Sequence, residues 1–321
     1  MNKHEFYQRL SNLTSTFQAT CLVNAYEQTH RHYHTIEHLF YMLNEAERIN
    51  WLDDELFLAI CYHDYVYDPK SKTNEEDSVV EFLRDFKTGG FKASFIYDIE
   101  QAILATKTHV LTGHKLSDRL ILLDLHELKQ ASLLEFQVIE QKIFKEYQFV
   151  PLNIYIEERC KVLVELGIDE NSGFMDYVRN RKYNIAIYPG SFDPFHKGHQ
   201  DILSKAEELF DKVIIARGKN SKKSEFIYDL PSDLNFHETV NYEGLLTDFL
   251  MSLNYPVTVI RGLRNGNDFE NEKILNRHLE DLMPEIKVVY LMAGRNNEHI
   301  SSTSIKELGA TKSKEVGYYK P

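Results

Sequence analysis

The sequence predicts two domains of different class: an all-α helical bundle over residues 1–180 and an α/β doubly wound parallel sheet over residues 181–321. Three observations carry this. With 321 residues, 43% hydrophobic and 27% charged, the chain has apolar material for two cores. Up to about residue 178, apolar positions recur at three and four with almost no proline. From Tyr183 the period changes to short β-branched runs alternating with helical patterns. The boundary is expected near 178–183, at the charged bridge Arg179–Lys182.

In the first domain the helical registers are Leu39, Met42, Leu43, Ala46, then Leu56, Leu58, Ala59, Tyr62, then Ile99, Ile103, Leu104. Turn residues at Asp68-Pro69, Thr88–Gly90 and Leu111–His114 separate them. In the second, strands are expected at Ile185–Tyr188, Lys212–Ala216, Val257–Arg261 and Ile286–Leu291. Helices are expected at His199–Leu209, Tyr242–Leu253, Asp268–Leu282 and Ser302–Leu308. Strand–helix alternation of this kind builds a parallel sheet whose ligands lie at the strands' carboxyl ends.

Composition narrows the function. No apolar run reaches the roughly 18 residues that span a bilayer, and Met1–Glu5 opens no signal-peptide core, so a cytoplasmic protein without a membrane partner is expected. Cys21, Cys61 and Cys160 are odd in number and set among apolar residues, which reads as reduced thiols. A net charge of −12 argues against nucleic acid as a partner, yet leaves room for a local basic pocket.

Three clusters in the first domain carry chemistry. Arg31-His-Tyr-His34 leads to His38, four residues on, and the pair is expected on one helix face. Then come His63-Asp64 and Asp124, the acids in apolar surroundings that demand a cation or a strong donor. Imidazole plus carboxylate suits a divalent metal that activates water. A lone helical histidine is most often a surface or satisfied core residue; three clusters in this order are harder to set aside. They resemble the HD superfamily of metal-dependent phosphohydrolases, together with Tyr62-His-Asp-x-Val-Tyr67-Asp68, Asn74-Glu-Glu76, Ala105-Thr-Lys-Thr-His109 and Lys145-Glu-Tyr147. The resemblance implies an HD-type bundle with metal ligands His34, His63, Asp64 and Asp124, the metal's identity and the substrate being left open. It implies hydrolysis of a phosphoester or pyrophosphate, with Glu75 or Glu76 orienting the water and Lys107, His109, Lys145 and Arg159 as phosphate contacts. Leu122 stands where another acid would be expected, two residues before Asp124.

The second domain opens on Tyr188-Pro-Gly-Ser-Phe-Asp-Pro-Phe-His-Lys-Gly-His199. This is neither a P-loop nor a dinucleotide fingerprint. It puts His196 and His199 at the first turn of a helix, whose free N–H groups and dipole favour a triphosphate. Positive or donating imidazoles would meet the charge that develops as pyrophosphate leaves. Arg261 and Arg264 end a strand; Ser301-Ser-Thr303 precede Ser304 and Glu307, whose spacing suggests a capping box and a helix start there. Singly, each is an ordinary cap or surface pair.

Together they resemble the phosphopantetheine adenylyltransferases, among the nucleotidyltransferases with a His-x-Gly-His motif and a Rossmann-like sheet, over nearly all of residues 184–321. The resemblance implies transfer of AMP from Mg-ATP to a phosphorylated acceptor, first 4′-phosphopantetheine, giving dephospho-coenzyme A and pyrophosphate. His199, Ser191, His196 and Lys223 would be catalytic. Gly190, Ser191, Phe192, His199, Arg264, Glu272, Ser301, Ser302 and Thr303 would bind ATP, and Lys223 with Arg261 the acceptor phosphate. His196 stands where the family carries threonine, the segment after Lys223 is short, and Leu279 replaces an expected asparagine. An acceptor such as nicotinamide mononucleotide therefore stays open, as do a homo-oligomer and a catalytically silent, nucleotide-binding role for one domain.

Overall fold

A computed structural model describes residues 1–86, 90–219, 226–297, 300–310 and 319. The chain divides into two compact units. One comprises Met1–Glu146 with Ile156–Asn180; the other comprises Tyr147–Tyr155 with Arg181–Pro321.

The first unit is helical: α1 (Lys3–Leu13), α2 (Thr16–Tyr26), α3 (Ile36–Arg48), α4 (Asp54–Tyr62), α5 (Asn74–Phe86), α6 (Ala93–Ala105), α7 (Lys115–Asp124), α8 (His126–Gln130), α9 (Leu133–Glu146), α10 (Leu152–Glu165, whose first turn falls in the second unit) and α11 (Gly173–Asn180). Residues Leu56–Tyr62 of α4 are all buried, as expected of a helix that is apolar all round and packed inside a bundle. Around it α3 buries Leu39, Met42, Leu43 and Ala46, and α7 buries Leu116, Leu120 and Leu123. Truncating Phe57, which has no exposed surface, would cost about 3–5 kcal/mol. A smaller core under α9 and α11 stacks Phe136 on Phe174, ring centroids 4.0 Å apart.

The second unit carries β1 (Ile185–Gly190), α12 (Lys197–Leu209), β2 (Lys212–Lys219), β3 (Thr239–Glu243), α13 (Leu246–Ser252), β4 (Thr258–Leu263), α14 (Gly266–Leu282), β5 (Lys287–Met292) and α15 (Ser302–Ala310). All strand pairs are parallel, in the order β3-β2-β1-β4-β5. The chain order reverses between β1 and β4, the switch point where such sheets open a crevice at their carboxyl edge.

The sequence reading missed β3. It placed Tyr242–Leu253 in one helix, whereas Thr239–Glu243 is an edge strand and the helix begins at Leu246. The apolar residues Leu245, Leu246, Phe249, Leu250 and Leu253 dominate that window and hide a short polar strand. The segment Tyr147–Tyr155 was not expected in this unit either. Gln148 accepts the Glu238 amide at 3.0 Å and donates to the Asp211 carbonyl at 2.9 Å. The fully buried Lys212 ammonium donates to the Val150 carbonyl and pairs with Glu238 at 2.7 Å.

Candidate active sites

In the first unit α3, α4 and α7 bring three ligating atoms within 4.8 Å of one another, from His38, His63 and Asp124. His38 lies on the buried face of α3, His63 caps α4, and Asp124 ends α7. His38 Nε2 is 3.1 Å from Asp124 Oδ1, and His109 Nε2 is 2.8 Å from Asp124 Oδ2. His63 Nδ1 donates to the Ile60 carbonyl at 2.8 Å, so the neutral ring carries its lone pair on Nε2. That Nε2 is buried without a hydrogen bond, 3.1 Å from Asp64 Oδ2 and 3.8 Å from Asp124 Oδ1. A lone pair facing two carboxylates calls for a proton or a cation, and the donor set fits a divalent metal.

The electrostatics repeat this demand. Burial pushes His38 down, but hydrogen bonds to Asp124 and Glu127 and the charges of Asp124 and Asp64 outweigh it and hold the imidazole at about 10. His63 and His109 are raised against burial by the same carboxylates. Burial alone would raise Asp64 and Asp124; the histidines hold both below the usual range. A divalent cation would answer the same demand.

Of the expected ligands, His63, Asp64 and Asp124 come together here. His34 and His38 do not share a helix face, because α3 starts at Ile36 with Thr35 as its N-cap. His38, not His34, joins the converging trio; His34 stands beside it, stacked on Tyr67 at 4.3 Å, with Nδ1 2.6 Å from Glu146 Oε2. Buried Arg31 donates to the carbonyls of Asp64 (2.7 Å) and Tyr65 (2.9 Å) and so ties the two motif loops together. Glu75, half-buried in the first turn of α5, is raised by burial and by the charge of Asp64. Glu76 is fully exposed and lowered by its hydrogen bond from Lys107. Glu75 is therefore the more base-like of the two. Among the expected phosphate contacts, His109 holds Asp124, with a left-handed backbone (φ 52°) that turns it there. Lys107 donates to Glu76 and to the Lys72 carbonyl, Arg159 pairs at 2.8 Å with the fully buried Glu140, and Lys145 is exposed on α9.

In the second unit a cavity of about 420 Å³ opens at the carboxyl ends of β1 and β4. His196, His199, Arg264, Glu272, Ser301, Ser302 and Thr303 line it, along with Tyr188, Gly198 and Asp268. Gly190, Ser191, Phe192 and Arg261 do not line it. Phe192 is buried, at φ 46°, with its ring 5.0 Å from that of His199; it supports the loop and meets no solvent. Buried Arg217, stacked 3.7 Å over Phe226, donates to the carbonyls of Ser191, Phe192 and Tyr228 and holds the loop from behind. Lys223 lies outside the described residues.

His196 is the N-cap of α12. Its Nδ1 accepts the amides of Gly198 (3.1 Å) and His199 (3.4 Å), so these amides are capped by imidazole rather than left free for phosphate. Its remaining donor is Nε2–H, and its ring stacks on that of His199 at 3.6 Å. A side chain at Gly198 would come within 3.1 Å of the His196 ring. Burial and Arg264 lower His196 to about 4, and burial, His196 and Arg264 push His199 well down. Both rings are therefore neutral donors at neutral pH, not the positive groups that the sequence left open.

Arg264 makes a two-pronged pair with Asp268 (2.8 and 3.0 Å), and Arg261 with Glu272 (2.6 and 2.8 Å). The last helix begins at Ser302, as expected, but Ser301 caps it in place of the expected box at Ser304 and Glu307. Ser301 and Ser304 cap each other, their hydroxyls 2.6 Å apart. Ser302 donates to the Pro194 carbonyl at 3.0 Å and Thr303 is exposed to the cavity. Sequence reasoning gave no role to Asp268, Arg217, His38 or Glu146, although His38 and Glu146 stand inside the quoted motifs.

Residues 187–308 match the cytidylyltransferase-like family. Over 134 residues the chain is 40% identical to the phosphopantetheine adenylyltransferase of Carboxydothermus hydrogenoformans, covering 39% of this chain and 82% of that protein. The corresponding protein of Mycoplasma capricolum is 41% identical over 133 residues, 39% of this chain and 95% of the relative. That of Chloroflexus aurantiacus is 38% identical over 135 residues, 39% and 83% respectively.

Proposed function

Because the chain belongs, through its second unit, to the cytidylyltransferase-like family and to the phosphopantetheine adenylyltransferases, we propose that this unit moves AMP from Mg-ATP to 4′-phosphopantetheine, giving dephospho-coenzyme A and pyrophosphate. The observation that carries the reading is the cavity at the switch point, with two neutral stacked imidazoles facing Arg264 and the Ser301–Thr303 turn. His196 and His199 would donate to the phosphoryl oxygens, and the imidazoles cost no proton release to do so. Arg264 and the Ser302 and Thr303 hydroxyls would hold the departing pyrophosphate, and the bound geometry would align the acceptor phosphate in line. Both acids lining the cavity are held by arginines, which suits a Mg²⁺ that arrives with the nucleotide. Incubation with Mg-ATP and either 4′-phosphopantetheine or nicotinamide mononucleotide, following pyrophosphate, tests it. Turnover of the mononucleotide alone would transfer the reading to that acceptor, which the presence of His196 favours.

For the first unit we infer a metal-dependent phosphohydrolase of HD type. What supports it is the buried His63 lone pair set between Asp64 and Asp124, with His38 converging on Asp124. His34, His63, Asp64 and Asp124 would hold the ion, with His38 hydrogen-bonded to Asp124 beside them, and the ion would supply an acidified water and polarise a phosphoryl oxygen. Glu75 would orient that water. Elemental analysis after supplementation with divalent metals decides the first step: protein that retains none sinks the hydrolase reading.

A further inference from the structure

One densely hydrogen-bonded side chain of the first unit sits inside the Lys145-Glu-Tyr147 motif but was given no role from sequence. Glu146 ends α9 with its side chain fully buried. Its Oε1 accepts three consecutive amides, from His32 (2.7 Å), Tyr33 (2.7 Å) and His34 (2.9 Å). Its Oε2 takes the His34 ring at Nδ1 and the Tyr67 hydroxyl, each at 2.6 Å. A buried carboxylate with five donors and no excess lone pair is fully satisfied, and ionised it can only accept.

That last property fixes the chemistry of His34. A nitrogen 2.6 Å from an ionised carboxylate must carry the hydrogen, so Nδ1 is the protonated one and the neutral ring has its lone pair on Nε2. The ring is then pinned on both sides: its own amide is held by the other oxygen of the same carboxylate, and its face is stacked on Tyr67. Its ring centroid is 6.2 Å from that of His38, at the edge of the converging cluster. We propose that Glu146 is the positioning residue that makes His34 a metal ligand, by fixing its ring with Nδ1–H inward and the Nε2 lone pair free for the ion. This rests on the metal-dependent reading of the unit. Carboxylate, imidazole and metal in line raise ligand basicity, and losing the carboxylate typically weakens metal affinity about 10–100-fold.

Glu146→Gln separates position from fold. The amide oxygen can still accept the three backbone N–H groups, but the NH₂ can only donate to Nδ1, which moves the ring hydrogen to Nε2 and blocks ligation. Long-range ¹H–¹⁵N spectra of the metal-free protein read the tautomer directly. The wild type is expected to show protonated Nδ1 and unprotonated Nε2 at His34, and Glu146→Gln the reverse, with the other histidines unmoved. Titration with Zn²⁺ alone should show affinity about 10–100-fold weaker in Glu146→Gln, matching His34→Ala, with no further loss in the double variant. A wild-type His34 protonated at Nε2, or equal zinc affinity in Glu146→Gln, overturns the inference. Wild-type protein that takes up no zinc overturns the hydrolase reading, and the inference falls with it.

Discussion

The two units use histidine in opposite ways. In the first, four clustered imidazoles each face a carboxylate: His38 and His109 on Asp124, His63 between Asp64 and Asp124, His34 on Glu146. The acids outweigh burial, and His38 rises to about 10. In the second, His196 and His199 face each other, Arg264 and two helix amides. Burial and positive charge agree there, and His196 falls to about 4. The same side chain becomes a cation-seeking ligand in one setting and a neutral donor to phosphate in the other. Burial pushes the imidazole down in both settings, and only facing carboxylates outweigh it.

Removing the fixed charge should produce the largest effect. Asp124 is the shared acceptor of His38 and His109 and the neighbour of His63, so Asp124→Asn strands three imidazoles around an amide. Breaking a buried ion pair costs about 3–5 kcal/mol, and the first unit should lose stability on that scale in denaturant titration monitored at Trp51. A loss below about 1 kcal/mol would mean that the imidazoles are already neutral and the cluster is not charge-coupled. In the second unit the largest effect should be kinetic. His199→Ala should slow pyrophosphate release from Mg-ATP and acceptor at least about a hundredfold while ATP still binds, the loss of one transition-state donor. An unchanged rate removes His199 from the reaction.

The sequence showed the backbone of this contrast and hid its detail. The change of period near Tyr183 marks where helices give way to a parallel sheet, because strand and helix repeat differently. The two-histidine turn, Arg264 and Ser301–Thr303 could be placed at one sheet edge, since strand order sends each to the same end. Charge state was not legible: His196 and His38 look alike in sequence, and only the partner across space, Arg264 or Asp124, separates them. Neither was His38, because the chain enters α3 at Ile36 and so turns His34 off the helical repeat. Glu146 lies 112 residues from His34, and its place in the Lys145-Glu-Tyr147 motif does not say which group it accepts from. Thr239–Glu243 was missed because the apolar helical run after it dominates any window that contains it.

Acid should sharpen the comparison. His196 titrates at about 4 in the folded protein against 6.5 in the free imidazole. Between those values the unfolded chain binds the extra proton, so stability is fully present above pH 6.5 and is lost as pH falls toward 4. One such group contributes at most about 1.4 kcal/mol per pH unit, and the second unit should weaken by up to that much between pH 6 and 5. Protonation of Nδ1 also breaks the cap, so the amide resonances of Gly198 and His199 should move with a midpoint near pH 4. His196→Asn, which caps without titrating, should flatten both responses. A midpoint near 6.5 would show that Arg264 and burial do not set the ring's charge.

The mildest change probes Arg264 itself. Its guanidinium is 40% exposed and fixed on Asp268 by two hydrogen bonds, with the Arg264 amide 3.1 Å from the same carboxylate. The pair does two things of opposite sign for a phosphate ligand: it orients the arginine toward the cavity and offsets part of its charge. Exposed pairs of this kind are worth about 0.2–1 kcal/mol, so Asp268→Asn should change the KM for ATP by no more than about fivefold. Direction decides which effect wins. A raised KM with unchanged kcat means that orientation dominates, and Asp268 is then a positioning residue for the nucleotide. A lowered KM means that Asp268 competes with phosphate for Arg264, and the stacked imidazoles then lie in a more positive field. In that case the same substitution should lower the Gly198 amide midpoint further below pH 4, since His196 would face an arginine with less of its charge offset.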